Sequence, residues 1–499
     1  MATADEDMNL SRNDPEKELH SFSEESQDDF HYNPPVMRKL LTWGVEARGI
    51  LPVPPHQQTD RHYSKIFFIW LSANCNILSF SAGTLGPVVF GLGLRDSCLV
   101  ILFFNLLTSA PPAYLTTWGP KLGLRQMCQA RYSFGYFGVI IPCILNLAGM
   151  FGFCILNGIL GGQTLSSVSG GGMSWSVGIV IISVVSLLIS FCGWKILAWY
   201  ERLAWIPVLI VYVVAIGVGG KHLINPPPAA PATAAAILSY GSTIAGFVIA
   251  YSPLSSDFTI YFKPGVSSWK IFLYSFLGFN LPIISIQCLG AAVVLAAPTV
   301  PSWNAGYDNG NVGGLLNAML SPVGNFGKFL TVLLALSVTA NVAPTLYSVC
   351  LNFQLFMPFL VPVPRYVFSI VATAIIIPLS IVGATKFYAT LTNFLGLIGY
   401  WASAFVAVIL VEHFLFRRGR FESYDIRYWN SPSKLPTGLA ALGSCILAFG
   451  LVVPSMDQVW FVGPIAKRTG DIGFEVAFFV TAILYPPLRF LELKFRPLV

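Results

Sequence analysis

The apolar run at residues 66–90 contains the stretch SFSAGTLGP at Ser79–Pro87, where serine, glycine and proline interrupt a hydrophobic segment. These residue types disfavour a continuous helix. A second apolar run, at residues 237–260, contains YGSTIAG at Tyr240–Gly246 and AYSPLSSD at Ala250–Asp257. We therefore expect two helices that break near their middles.

The composition places both runs in a membrane protein. The 499 residues are 55% hydrophobic and only 10% charged, whereas soluble domains carry about 25% charged residues. The nine cysteines form no C-x-x-C pair and no cluster with histidine at zinc spacing. The chain also has no G-x-x-x-x-G-K-[ST] phosphate-binding motif. We predict an all-α integral membrane protein without a metal or other cofactor.

Crossing a membrane takes about 20 apolar residues per helix, and we number the runs that meet this requirement as spans 1 to 12. They are residues 66–90, 98–118, 137–163, 174–193, 202–219, 237–260, 270–297, 326–351, 365–383, 387–411, 436–454 and 472–490. The interrupted runs are spans 1 and 6, which are five apart. Interrupted helices at corresponding positions of two halves are typical of transporters with inverted repeats. The alternative is that the small residues only allow helices to pack closely.

This pattern predicts a ten-helix transport core at residues 61–411, made of five-plus-five inverted repeats at about 66–220 and 237–411. The Pro/Ala-rich segment at 226–233 would connect the two repeats. A basic cytoplasmic loop at 412–435 follows. Spans 11 and 12 are appended at 436–490, and residues 491–499 form a cytoplasmic C-terminus.

Charge is distributed unevenly along the chain. Ten of the 23 acidic residues fall within the first 30 positions, so we expect residues 1–60 to form a largely disordered acidic tail. Lys17 is a candidate for ubiquitin-type modification within that tail. Of the 27 basic residues after position 30, 21 lie on the side of the chain termini. The positive-inside rule therefore predicts that both termini are cytoplasmic.

Polar residues inside predicted spans mark a candidate site, because they are costly in lipid unless they face a cavity or a partner. Span 3 carries Asn157, with Phe153 one turn earlier on the same face. Span 8 carries Asn341 and Thr345 beside Pro344. An amide supplies a donor and an acceptor, and an aromatic ring supplies a stacking surface. This combination indicates a flat, neutral heterocycle.

Several motifs together resemble the fungal purine-cytosine permease branch of the nucleobase-cation symporter family. They are RYSFGYF at Arg131–Phe137, the N-x-x-x-x-G-Q run at Asn157–Gln163, YER at Tyr200–Arg202 and SDFTIY at Ser256–Tyr261. The resemblance extends from about Val36 to the C-terminus. It implies alternating access for nucleobases driven by protons, with the substrate held between spans 1, 3, 6 and 8.

The resemblance also implies substrate contacts for Ser79, Asn157 and Asn341, which match positions of the family motifs. Three positions depart from the family pattern. Phe153 and Tyr251 stand where relatives commonly have Trp, and Thr345 stands where they commonly have a second Asn. A buried polar group that lacks its partner can change selectivity by orders of magnitude, so the class of transporter is better defined than its substrate.

Two acidic positions are candidates for gating or proton coupling, namely Glu201 near the start of span 5 and Asp257 near the end of span 6. The alternative for both is an electrostatic anchor at the level of the lipid headgroups. Span 8 offers few hydroxyls before Asn341, so we expect proton rather than sodium coupling.

We therefore predict a plasma-membrane proton symporter that imports cytosine, adenine, guanine and hypoxanthine. The alternative cargo is another small heterocycle, such as a pyridine-type vitamin related to B6. A membrane enzyme is disfavoured because the six histidines do not converge in the sequence, and a receptor without transport is disfavoured by the two interrupted spans. The expected partners are the nucleobase, a proton and membrane lipid, with no nucleic acid.

Overall fold

A computed structural model of the chain describes residues 49–496 apart from 171, 192–193, 358, 360–362 and 364. The described part is almost entirely helical. Its α-helices are α1 (Ser64–Asn74), α2 (Ile77–Val88), α3 (Leu94–Thr116), α4 (Trp118–Leu122), α5 (Gln126–Phe134), α6 (Ile140–Val168), α7 (Trp175–Ser190), α8 (Trp194–Gly219), α9 (Ala234–Ile249), α10 (Ser268–Ala296), α11 (Pro301–Gly306), α12 (Val312–Leu320), α13 (Gly324–Leu336), α14 (Thr339–Phe356), α15 (Arg365–Gly383), α16 (Phe387–Val411), α17 (Leu439–Ser455), α18 (Ala466–Thr469) and α19 (Gly473–Phe495).

Short elements complete the described chain. The 3₁₀ helices are Pro55–Gln57, Gly220–His222, Ser252–Phe258, Ala297–Thr299, Asp308–Gly310, Ser321–Val323, Ala384–Lys386, Phe421–Ser423 and Ile426–Tyr428. One π-helical turn covers Glu412–Phe416. The strands β1 (Asp457–Gln458) and β2 (Phe461–Val462) pair antiparallel. The hairpin that they form lies in the segment between α17 and α19.

Each of the twelve predicted runs falls on helix. Among the described residues, eight helical segments are long and apolar enough to cross a membrane, and the bent pair α1–α2 makes a ninth. One of the eight, Tyr366–Phe416, contains both α15 and α16, while α7 and α17 are shorter apolar helices. The prediction of an all-helical membrane protein is therefore confirmed.

Span 1 is broken, but earlier than the sequence predicts. The helices α1 and α2 meet at an angle of 56°, and Cys75 and Asn76 separate them. The Asn76 side chain starts α2 by accepting a hydrogen bond from the Ser79 backbone N–H at 2.9 Å, as expected of an N-cap residue. The predicted break at Ser79–Pro87 is therefore wrong in position, since this stretch is helical.

The small residues of α2 serve packing instead of unwinding. A Cβ atom added to Gly83 would lie 1.9 Å from the Gln287 carbonyl oxygen, and one added to Gly86 would lie 2.7 Å from the Ser97 hydroxyl. Helices α2 and α10 therefore approach at backbone distance. The alternative that the sequence left open, close packing through small residues, accounts for Gly83 and Gly86.

Span 6 ends its α-helical part at the second of the two predicted interruptions, Ala250–Asp257, whereas the first, Tyr240–Gly246, is helical, so that part of the prediction is wrong. Helix α9 stops at Ile249, and the chain continues through Ala250 and Tyr251 into the 3₁₀ helix Ser252–Phe258. Span 8 is interrupted as well, because Ser337 and Val338 separate α13 from α14. The sequence analysis did not predict this third interruption, at which the Ser337 hydroxyl accepts a hydrogen bond from the Ile77 backbone N–H at 3.3 Å.

Two groups of helices form the body around the site. In one group α2, α3, α9 and α10 pack together, and in the other α6, α7, α14 and α15 pack together. Helix α16 contacts both α9 and α6, and it also carries α19 against its other side. The interruptions in spans 1, 6 and 8 meet where the two groups face each other.

The segments around the predicted core are packed where the structure describes them. In the predicted tail, Gln58 is buried and donates to the Ile260 carbonyl at 2.9 Å. In the predicted basic loop, Glu412 and Arg417 are buried and paired at 3.3 Å. Lys17 lies outside the described residues.

Candidate functional site

A small cavity lies between the two helix groups. Its lining residues are Asn146, Gly149, Met150, Phe153, Ala250, Tyr251, Leu254, Asn341, Thr345, Ile398 and Trp401. These residues come from α6, the turn after α9, α14 and α16, and they include no charged side chain. The cavity measures about 20 Å³, taken as the space open to the centre of a water molecule, which is room for a water and not for a heterocycle. The surrounding helices must therefore separate to admit a ligand.

A chain of neutral hydrogen bonds crosses the site. The Asn157 amide donates to the Asn341 side-chain oxygen at 2.9 Å. The Asn341 amide in turn contacts the Tyr251 hydroxyl at 3.0 Å and donates to the Ala73 carbonyl at 2.9 Å. The Tyr251 hydroxyl donates to the Asn74 side-chain oxygen at 2.9 Å. These contacts join spans 3, 8, 6 and 1 without any charge.

Two aromatic rings face each other at the cavity. The rings of Phe153 and Tyr251 are inclined by only 22°, with centroids 6.4 Å apart. Two rings that stack on opposite faces of a flat ring at ordinary contacts of about 3.5 Å each lie about 7 Å apart, so the cavity between Phe153 and Tyr251 must widen to admit one. Both residues line the cavity, so each offers an aromatic ring on which a flat ligand could stack once the cavity widens.

The structure places the six predicted substrate residues at different distances from the cavity. Phe153, Tyr251, Asn341 and Thr345 line it, and the Thr345 hydroxyl donates to the Asn341 carbonyl at 2.7 Å. Asn157 joins through its hydrogen bond to Asn341, and its own side-chain oxygen is buried without a hydrogen bond to any described residue.

Ser79 does not reach the cavity in this structure. It is fully buried in the first turn of α2, where its hydroxyl donates to the Asn74 carbonyl at 2.6 Å. The Asn74 side-chain oxygen also accepts the Tyr251 hydroxyl. Ser79 therefore helps to hold Asn74 in place at the break in span 1. Its contact with substrate stays a prediction from the family resemblance.

Glu201 is buried in α8, with 1% of its surface exposed. Neither of its carboxylate oxygens makes a hydrogen bond within the described part of the chain. Its backbone carbonyl accepts a hydrogen bond from the Ser72 hydroxyl in α1, so this carboxyl group lies beside the broken span. An ionised carboxylate in such a place would carry a large desolvation cost. This position does not fit an anchor among lipid headgroups.

Asp257 is also buried but is fully engaged. Its carboxylate accepts the Gln126 backbone N–H at 2.9 Å and the Ser348 hydroxyl at 3.3 Å. The Arg125 guanidinium donates to the Asp257 carbonyl at 2.7 Å. Asp257 therefore connects the 3₁₀ helix after α9 to α5 and to α14. Asn341 lies on α14.

The sequence analysis missed several residues of the site. Asn74 and Trp70 come from α1, and Trp70 stacks on Phe279 at 4.3 Å and meets the Tyr251 ring edge-on at 5.4 Å. Trp401 comes from α16. Asn74 had a visible signal, since it is an amide inside an apolar run. Trp70 and Trp401 had no such signal, because aromatic residues are common in the packed cores of membrane spans.

The chain is similar to known membrane permeases. Residues 52–476 match the model of a family described as permeases for cytosine/purines, uracil, thiamine and allantoin. The chain is 36% identical to the purine-cytosine permease fcyB of Emericella nidulans, covering 92% of this chain and 91% of that protein. It is 34% identical to the purine-cytosine permease FCY2 of Saccharomyces cerevisiae, covering 95% and 93%.

A more distant relative and a solved structure complete the comparison. The vitamin B6 transporter TPN1 of Saccharomyces cerevisiae is 28% identical, covering 92% of this chain and 89% of that protein. The nucleobase-cation-symport-1 family transporter Mhp1, in a closed conformation with bromovinylhydantoin bound, superposes with a TM-score of 0.68 at 17% identity, covering 91% of this chain and 96% of that one. Mhp1 therefore shares the fold.

The family model spans most of the chain, and the two purine-cytosine permeases exceed 30% identity over nearly their whole lengths. These matches confirm the resemblance that the sequence motifs indicate, and they describe a class of membrane transporters rather than enzymes. The chain belongs to the family of permeases for cytosine/purines, uracil, thiamine and allantoin.

Proposed function

We propose that this permease imports neutral nucleobases, such as cytosine, adenine, guanine and hypoxanthine, across the plasma membrane by proton symport with alternating access. The observation that carries the proposal is the pair of nearly parallel rings of Phe153 and Tyr251 beside uncharged amides. A nucleobase is a flat heterocycle with adjacent donors and acceptors on its edge. It would stack between the rings and exchange hydrogen bonds with the amides.

The polar groups at the site suit such an edge. The Asn157 side-chain oxygen makes no hydrogen bond to a described residue, so it is available to accept one from a base. The Thr345 hydroxyl keeps its acceptor lone pairs while it donates to Asn341. No lysine or arginine lines the cavity among the described residues, and a phosphate or carboxylate ligand would call for one.

Glu201 is our candidate for the proton-binding group. Its carboxylate is buried, lacks hydrogen bonds within the described chain and lies beside α1. Bringing in a proton would remove the charge that burial makes costly. Movement of α1 relative to α8 would then change the solvation of this group, which is the physical requirement for coupling protonation to a conformational change.

The second candidate cargo is a pyridine-type vitamin. It is favoured by the relation to the vitamin B6 transporter TPN1 and by Thr345, whose single hydroxyl lines the cavity where an amide would offer two polar atoms. A pyridine ring would stack on the same aromatic rings. The higher identity to the purine-cytosine permeases makes the nucleobase the leading proposal.

Competition for uptake distinguishes the two cargoes. In a fungal host lacking its own permeases, we expect labelled adenine or cytosine to accumulate and to be displaced by other neutral nucleobases. Pyridoxine should displace them poorly. Failure of every nucleobase to compete would contradict the proposed cargo, and strong uptake of labelled pyridoxine alone would favour the second candidate.

Replacing Glu201 tests the coupling. We expect Glu201→Gln to abolish accumulation against a gradient while exchange of labelled base across the membrane and surface abundance persist. Glu475→Gln is the matched control, because Glu475 also has a buried oxygen without a hydrogen bond to described residues but lies in α19. Unchanged accumulation by Glu201→Gln would contradict the role. Uptake that needs sodium and ignores a protonophore would contradict proton coupling.

The acidic N-terminal segment adds a proposal about regulation. With both termini in the cytoplasm, Lys17 would be reachable by ubiquitin-type modification that controls surface abundance. Replacing Lys17 with Arg should slow internalisation after excess substrate is added. Unchanged internalisation, followed by fluorescence of a C-terminal tag, would contradict this proposal.

A further inference from the structure

The segment between α17 and α19 approaches the cavity walls through one buried carboxylate. Asp471 is 3% exposed, and its side chain accepts hydrogen bonds from two helices of the core. The Tyr400 hydroxyl of α16 donates to one oxygen, and the Ser242 hydroxyl of α9 donates to the other at 3.3 Å. The Asp471 backbone N–H also donates to the Ser239 hydroxyl of α9 at 2.8 Å.

Further contacts fix this cluster to its own segment. The backbone N–H groups of Asp457 and Gly473 donate to the Asp471 carboxylate at 3.0 and 2.9 Å. The Gln458 amide donates to the Tyr400 hydroxyl at 2.7 Å. No ion pair involving Asp471 is found in the described chain, so neutral donors hold a buried carboxylate, and hydrogen bonds to a charged group are stronger than neutral ones.

The hydrogen bonds of Asp471 reach residues that are close in sequence to the cavity lining. Tyr400 precedes Trp401, which lines the cavity together with Ile398 of the same helix. Ser242 lies on α9, whose continuation carries the cavity residues Ala250 and Tyr251. Asp471 thus bridges two walls of a cavity that must widen to admit a heterocycle.

The backbone on both sides of Asp471 packs closely against α9 and α16. A Cβ atom on Gly470 would lie 2.3 Å from the Ala235 carbonyl oxygen of α9, and one on Gly473 would lie 2.6 Å from the Tyr400 ring. The positive φ of 76° at Gly470 also favours glycine. The segment therefore lies directly on α9 and α16, and Asp471 needs no intervening side chain to reach them.

We propose that Asp471 is a positioning residue for substrate binding, which holds α16 against α9 through Tyr400 and Ser242 so that Trp401 and Tyr251 close on the same ligand. This inference rests on the proposed function and assigns a role to the segment that follows α17, beyond the ten-helix core. Separation of the two walls requires that this bridge break, either between Tyr400 and Asp471 or between Asp471 and the α9 serines. The strength of the bridge therefore adds to the direct packing of α9 on α16 in resisting separation of the walls.

Uptake kinetics test the proposal with two single variants and their combination. Asp471→Asn removes the charge, and Tyr400→Phe removes only the hydroxyl that reaches it, leaving the contacts of Asp471 with Gly473 and Ser242. We expect each to raise KM for the labelled base at least about tenfold, the lower limit for loss of one hydrogen bond to a charged group, with Vmax per surface copy nearly unchanged. The double variant should resemble the stronger single variant, because both single variants act on the same hydrogen bond between Tyr400 and Asp471.

Asp457→Asn is the matched control, since it removes a negative charge from the same segment between α17 and α19 without changing the hydrogen bond between Tyr400 and Asp471. Its KM should equal that of the wild type. Effects of Asp471→Asn and Tyr400→Phe that multiply in the double variant would overturn the proposal, as would unchanged KM in both. If Asp471→Asn fails to reach the membrane, Tyr400→Phe alone still decides.

Hydrogen exchange measured on the purified protein without substrate separates this proposal from the proposed function. We expect faster amide exchange in residues 393–404 and 239–246 of Tyr400→Phe than in the wild type, with no change in α6. Equal exchange would overturn the role of Asp471. Failure of the wild type to take up any nucleobase would instead refute the cargo and leave the exchange result standing.

Discussion

At the scale of single residues, Asn341 connects the parts of the site. Its amide contacts the Ala73 carbonyl and the Tyr251 hydroxyl, and its oxygen accepts the Asn157 amide. Both ends of the amide are therefore used, and its orientation is fixed by partners on three other spans. Both N–H groups are engaged, so a ligand can add a hydrogen bond only at the remaining acceptor site of the Asn341 oxygen or by replacing one of these partners.

Tyr251→Phe is expected to raise KM for nucleobase uptake about tenfold, because the change leaves the Asn341 amide and the Asn74 oxygen short of a partner while it keeps the ring. The control is Tyr240→Phe in α9, whose hydroxyl contacts the Ala82 and Gly83 carbonyls at 3.3 Å each and is not part of the cavity. Uptake kinetics corrected for surface abundance measure both. Equal effects of the two variants would contradict a specific role for Tyr251.

At the scale of elements, the break in span 1 depends on a cap and on close packing. Asn76 is the N-cap residue of α2, so the helix resumes directly after it. At the 56° bend, the Ala73 carbonyl and the Asn74 side chain make hydrogen bonds to spans 8 and 6. Gly83 then lets α2 lie against α10. The bend and the close contact of α2 with α10 together determine which backbone groups of span 1 can form hydrogen bonds at the site.

Gly83→Ala is expected to prevent folding or to reduce the amount of protein at the surface severely, since its Cβ would lie 1.9 Å from the Gln287 carbonyl oxygen and backbone atoms cannot move aside cheaply. Gly217→Ala in α8 is the control, because no atom lies within 4 Å of the Cβ that it would add. Fluorescence size-exclusion chromatography of tagged proteins compares them. A folded Gly83→Ala protein at wild-type levels would show that the two helices can separate without cost.

At the scale of the whole molecule, α19 is attached to the core by buried charges at one end and by Asp471 at the other. Arg489 contacts both oxygens of Glu412, at 3.0 and 3.1 Å, and all these groups are at most 1% exposed. Arg489 also pairs with Glu492 at 2.9 Å. Glu412 lies in the π-helical turn that follows α16. These ion pairs therefore fix α19 to α16, which contributes Ile398 and Trp401 to the cavity lining.

Arg489→Met is expected to destabilise the protein by up to about 3–5 kcal/mol, because it removes the cation that contacts both oxygens of the buried Glu412 and leaves that carboxylate with Arg417 and the Tyr485 hydroxyl. Arg427→Met is the control, since the Arg427–Asp425 pair at 2.7 Å is 60% and 27% exposed and such pairs contribute only about 0–1 kcal/mol. Melting temperatures of the solubilised proteins measure the difference. Similar melting temperatures for the two variants would show that the buried pair is not needed to hold α19.

The sequence by itself determined the properties that depend on local composition. Low charge and long apolar runs place the chain in a membrane, since hydropathy sums over neighbouring residues. The interruption after Ile249 and the motifs that identify the family are also local. Residues such as Asn157 and Asn341 stand out because polar groups are rare inside apolar runs.

Only the tertiary structure decided how these parts meet. The break in span 1 lies at Cys75–Asn76 because Asn76 caps α2 and Gly83 packs on α10, whereas composition alone placed it at Ser79–Pro87. The partners of Tyr251 and the bridge from Ser242 to Asp471 join residues 177 and 229 positions apart. Such contacts depend on how helices cross in space, and no periodic pattern in the sequence encodes them.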